Sequence, residues 1–302
     1  MTSTESPLSE TSLAAASSQP SAVAGTPAVV SDQPAAASGW RRFTLDWLLH
    51  RPPLHVALAY LAVLALAEIL TTLIDARVGL VMNSIVLFVL LLHTALAWET
   101  PLHRLLVTLA FAPLIRLLSL SLPLAEFPRV YWYFITSVPL FVAAFLVARL
   151  LDFSLDGLGI NLRALPVQGL VALTGLAFGF LEYKILQPDP LAPAFTWQAL
   201  LVPALILLFS TGFLEELIFR GLMQSTALEV LGRFGLVYVA LIFAVLHIGY
   251  KSVVDVVFVF AVGFFFGWVV WKTRSIVGVT LAHGLTNIML FLVMPFLAAT
   301  AT

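Results

Sequence analysis

Residues 252–272 read SVVDVVFVFAVGFFFGWVVWK, and from 256 to 271 no side chain carries a charge. A run of this length can cross a bilayer as one helix, which takes about 20 residues. Comparable runs recur at roughly 54–75, 79–98, 103–123, 130–151, 166–186, 197–222, 235–249 and 276–298. The 235–249 run is short and reads as partly buried rather than fully spanning. The expected fold is therefore an all-α, polytopic transmembrane helical bundle of about eight or nine spans.

Composition agrees. Hydrophobic residues make up 61% of the 302 and charged residues 10%, and the mean hydropathy is +1.04. A soluble domain is about one quarter charged, so this chain could not cover a water-facing surface. A net charge of −1 gives no basic face for nucleic acid. With no cysteine in the chain, disulfides, thiol nucleophiles and cysteine metal sites are all excluded.

Residues 1–39 are rich in Ser, Ala, Thr and Pro and poor in bulky apolar side chains, which predicts a disordered tail. The tail does not resemble a secretory signal, since no basic segment precedes an apolar one there. Residues 40–302 form the expected transmembrane domain. Orientation follows from Lys and Arg. With the N-terminus inside, ten fall on inner segments (Arg41, Arg42, Arg51, Arg104, Arg149, Arg163, Arg220, Arg233, Lys272, Arg274). Four fall outside (Arg77, Arg129, Lys184, Lys251), which predicts a cytoplasmic N-terminus. A bacterial plasma membrane is the expected location.

Ionisable groups inside spans are costly and mark function or buried pairs. Three clusters stand out, all within 197–298. The first is Glu215-Glu216-Leu217-Ile218-Phe219-Arg220. Adjacent glutamates on a helix point about 100° apart. Glu216 lies four residues before Arg220, the favourable order for an intrahelical ion pair. Glu215 is left without a local cation, which suits a dry carboxylate to general-base work. The second cluster ends in His247, four residues after Phe243. In the third, His283 and Asn287 are four apart on one helical face, able to donate two hydrogen bonds to one oxyanion.

Each signal has a plain structural reading: a packed histidine, a bracing ion pair, an asparagine joining helices. Together they make a complete set for hydrolysing an acyl bond with water. Other hydrolytic signatures are missing: no His-Glu-x-x-His, no Gly-x-Ser-x-Gly and no cysteine. A glutamate-activated water, with or without a metal, is what remains.

The three clusters, in this order, resemble the CPBP family of intramembrane proteases, which includes CAAX prenyl endopeptidases, Abi-type and bacteriocin-processing proteins. The family pattern Glu-Glu-x-x-x-Arg, Phe-x-x-x-His, His-x-x-x-Asn reads here Glu215-Glu216…Arg220, Phe243…His247, His283…Asn287. The Lys272–Ile276 turn also looks like the family. The resemblance implies an endopeptidase acting on a membrane-embedded or lipidated protein or peptide. In that scheme Glu215 and His247 activate water, His283 and Asn287 stabilise the oxyanion, and Glu216 and Arg220 brace the site. No cofactor is expected; a zinc ion, if present, would take Glu215, His247 and His283. The rival readings are a transporter and a non-catalytic immunity or scaffold protein.

Two further expectations follow. His283 lies about 10 Å inside its helix at 1.5 Å per residue, whereas His247 lies near the end of its own span. A shared site therefore requires the Gly249-Tyr250-Lys251 break to dip into a cavity. Glu68, Arg116 and Glu182, also inside spans, are expected to find buried partners, with Glu182 the next candidate for a substrate role.

Overall fold

The computed structural model describes residues 52–98 and 100–300. They lie in the unit Asp46–Thr302; the other unit, Met1–Leu45, falls outside them, as do the expected tail and Arg41, Arg42 and Arg51. Every regular element among the described residues is helical.

Eight helices there are long and apolar enough to span a membrane. They are α1 (Pro53–Leu73), α2 (Ala76–Leu96), α3 (Leu102–Ser121), α4 (Arg129–Leu150), α5 (Leu165–Leu186), α6 (Trp197–Leu231), α8 (Val253–Thr273) and α9 (Val277–Ala299). Between α6 and α8 lies the shorter α7 (Phe234–Val245), continued by a tight turn at Ile248–Tyr250. These bounds match the expected spans within a few residues, with one exception. Helix α6 does not stop near 222 but runs 35 residues to Leu231. Its last turns are held by a Thr226–Thr108 hydroxyl contact of 2.8 Å and by Arg104 on Glu229 at 2.9 Å.

Bulky side chains such as Phe88, Phe145, Leu170 and Leu173 expose most of their surface, as a lipid-facing wall requires. The interior is different. Its small residues let backbones approach, because bilayer helices associate by close packing rather than by escape from water. A Cβ on Gly175 of α5 would lie 2.2 Å from the Ala282 carbonyl oxygen of α9. A Cβ on Gly212 of α6 would lie 2.9 Å from the Gly284 nitrogen. The two residues flanking His283 are thus pressed by α5 on one side and α6 on the other.

The start of α9 is fixed by polar ties. Gln168 Oε1 accepts from the Gly278 N–H at 2.7 Å, and the Ile276 N–H donates to the Gly159 carbonyl at 2.9 Å. Asn161 Nδ2 donates to the Arg274 carbonyl at 2.7 Å, which satisfies a carbonyl at the end of α8. These bonds set the depth at which α9 presents its polar residues.

Candidate active site

Helix α6 departs from regular α geometry around its acidic pair. It widens into π-helical turns at Leu207–Phe213 and again at Leu217–Met223, with Leu214–Glu216 between them. Such widenings concentrate at functional sites, because they re-aim side chains that a regular helix would direct elsewhere.

Glu216 is fully buried and its Oε1 takes two bonds, from Arg220 Nη1 at 2.9 Å and from His283 Nδ1 at 2.8 Å. Arg220, equally buried, donates through Nη2 to the Gly263 carbonyl of α8 at 3.2 Å. Its guanidinium lies 4.5 Å from the centre of the Phe243 ring. A buried ion pair is costly to break, since the survivor is left charged in a dry place, at about 3–5 kcal/mol. The spacing argument had Glu216 holding Arg220. It did not foresee that the same oxygen also holds His283.

His283 Nδ1 donates to Glu216, so its Nε2 faces the other way, 3.9 Å from Glu215 Oε2. Glu215 is about one third exposed, toward internal space rather than lipid. His247 follows the end of α7, and its Nδ1 meets the Phe243 carbonyl at 2.8 Å. A carbonyl only accepts, so Nδ1 carries the proton and Nε2 holds the lone pair when the ring is neutral. The Phe243 ring touches both imidazoles, with centroids 4.8 Å from His247 and 5.9 Å from His283. Asn287 Nδ2 donates to Thr211 Oγ1 at 2.8 Å, leaving its second N–H for another acceptor.

Glu215, His247, His283 and Asn287 all line one small cavity of about 70 Å³. That is room for a few waters at most. A larger cavity of about 570 Å³ also reaches Glu215, His247 and Tyr250. Its walls are largely apolar and include Trp132, Leu140, Leu214 and Ile218, with Ile115 and Arg116 from α3. The volume suits a ligand the size of a short peptide or acyl group. Gly249 and Tyr250 line this larger cavity, so the irregular backbone after His247 borders internal space.

Several side chains here carried no clear signal in the sequence. Tyr133 of α4, Tyr250, Thr211 and Thr286 line the small cavity. Lone tyrosines and threonines in apolar helices look like ordinary packing. Of the three other intramembrane charges, Glu68 and Arg116 pair at 2.6 Å. Glu182 departs from the expected pairing: it opens on the small cavity, and no cation pairs with it among the described residues. Among the described residues no group of three His, Asp or Glu side chains is arranged to hold a metal ion, Glu215, His247 and His283 included.

Neither the curated proteins nor the solved structures gave a match to this chain. One family model did: Rce1-like, described as type II CAAX prenyl endopeptidase, matches residues 196–289. The matched stretch runs from the start of α6 into α9 and contains all three polar clusters, so the match supports the resemblance to the CPBP proteases read from those clusters.

Proposed function

We propose that this integral membrane protein cleaves a peptide bond of a membrane-associated or lipidated substrate, using water activated by Glu215 and His247. The family match supports a CAAX-type intramembrane protease in general. The observation that carries the finer reading is the convergence of Glu215, His247, His283 and Asn287 on one cavity with room for water.

In this reading a water sits between Glu215 and His247 Nε2. Glu215 takes its proton as the oxygen attacks the scissile carbonyl carbon. The carbonyl oxygen becomes an oxyanion that accepts from the second Asn287 N–H and from His283 Nε2. His283 then bears protons on both nitrogens, one held by Glu216. Collapse breaks the C–N bond, and the proton gained by Glu215 passes to the leaving amine. Every step uses side chains of this chain, and no metal enters. The Lys and Arg distribution supports a cytoplasmic N-terminus.

The test compares membrane-associated peptides from cells carrying the wild type and Glu215→Ala. Substrate fragments present only with the wild type support the reading. Identical fragment patterns from two equally abundant proteins overturn it.

A further inference from the structure

Arg116 of α3 and Glu68 of α1 lie outside the stretch that matches the protease family. Both belong to the spans for which the sequence offered no role. Glu68 is 1% exposed; its Oε1 accepts from Arg116 Nε at 2.8 Å, and its Oε2 lies 2.6 Å from Arg116 Nη2 as an ion-pair contact. The same Nη2 donates to the Leu246 carbonyl at 2.6 Å. Leu246 caps the C-terminal end of α7, where a helix leaves carbonyls without intrahelical partners. The next residue is His247.

The peptide bond is planar, so the Leu246 carbonyl and the His247 N–H share one rigid unit. Fixing that carbonyl fixes the direction in which the His247 Cα leaves it. The other hydrogen bonds of His247 are local: its N–H to the Ala244 carbonyl at 3.0 Å, its Nδ1 to the Phe243 carbonyl, and its own carbonyl from the Tyr250 N–H at 3.0 Å. Arg116 thus ties the Leu246–His247 peptide to α3, while Tyr133 of α4 meets Tyr250 further along the turn. A cation is also the favourable charge at the C-terminal end of a helix.

We propose that Arg116, held in place by Glu68, is a positioning residue that aims His247 at the water between it and Glu215. This rests on the protease reading above. The buried carboxylate keeps the planar guanidinium directed, and the guanidinium pins the turn. Through it α1 and α3 act on the chemistry although neither helix lines the small cavity.

Two measurements on purified protein in detergent test it. The first needs no substrate: the rate at which diethyl pyrocarbonate modifies His247, read by mass spectrometry, with exposed His55 as the internal control. Arg116→Ala should change the His247 rate at least about threefold and leave His55 unchanged. The second uses an internally quenched peptide ending in a prenylated Cys-aliphatic-aliphatic-X sequence. Arg116→Ala should lower kcat roughly tenfold with KM within about twofold, as expected when only a transition-state contact is lost. Glu68→Gln and Arg116→Lys, which keep the packing, should shift both readouts in the same direction by less, and they decide the matter if the alanine variant does not fold. A raised KM with unchanged kcat overturns the proposal by making Arg116 a substrate contact. A lowered melting temperature with unchanged His247 reactivity overturns it by making the pair merely structural. If the wild type does not cleave the peptide, the protease reading fails on that probe, while the His247 reactivity still judges the positioning role.

Discussion

His283 Nδ1 and Arg220 Nη1 reach the same atom, Glu216 Oε1, at 2.8 and 2.9 Å. The orientation of the α9 imidazole is therefore tied to an ion pair buried within α6. The two neighbouring glutamates should consequently fail in different ways. Glu216→Ala should cost about 3–5 kcal/mol, because Arg220 is stranded without its partner. Glu215→Ala should abolish cleavage while the melting temperature stays within about 2 °C, since among the described residues its carboxylate takes no hydrogen bond and only the 3.9 Å approach of His283 Nε2. Thermal unfolding in detergent alongside a cleavage assay separates the two.

Glu215→Gln and His247→Gln should each lower kcat by about 10²–10⁴, the range for removing a general acid–base group. Acting on one water, they should not add. The double variant should be close to the worse single one. Additive losses in single-turnover kinetics would mean that they serve separate steps.

Asn287→Ala should cost about 10²–10³ in kcat, as loss of one oxyanion donor does. Thr211→Val removes the hydroxyl that orients Asn287 at 2.8 Å and should cost less while moving in the same direction. If KM rather than kcat responds to both, Asn287 contacts the ground-state substrate instead.

Gly175→Val places side-chain carbons where a single Cβ already falls 2.2 Å from the Ala282 carbonyl. It should displace α9 and remove both stability and activity. Gly169, also on α5, has open space around it, so Gly169→Ala should be nearly silent. Expression level and melting temperature of the pair report this directly.

Zinc chelation by 1,10-phenanthroline should leave cleavage unchanged, because the proposed chemistry runs on Glu215 and His247 alone. Activity lost on chelation and restored by zinc would reassign those residues as ligands.

Much of this site was legible because charges are rare in greasy helices. Glu215, Glu216, Arg220, His247 and His283 announce themselves against an apolar background, and helical spacing assigned the Glu216–Arg220 pair. The number of spans was legible to within one, as eight or nine, since span length is set by the bilayer. The reading failed where long-range packing decides. No local pattern says that Glu216 reaches across 67 residues to His283, or that Arg116 meets a carbonyl 130 residues on. The extra length of α6 was missed because Gln224, Ser225 and Thr226 look like the polar end of a span. In the fold they face partners on Gly267, Gly221 and Thr108.

The large cavity has walls of mixed ancestry. Glu215, His247 and Tyr250 come from the stretch that matches the protease family, whereas Ile115, Trp132, Tyr133 and Leu140 come from helices the match leaves out. In the proposed protease, exchanging Trp132 and Leu140 for other apolar side chains should change which peptides are cut while Arg116 and the polar clusters stay in place, whereas residues 196–289 expressed by themselves would lack one side of their own doorway.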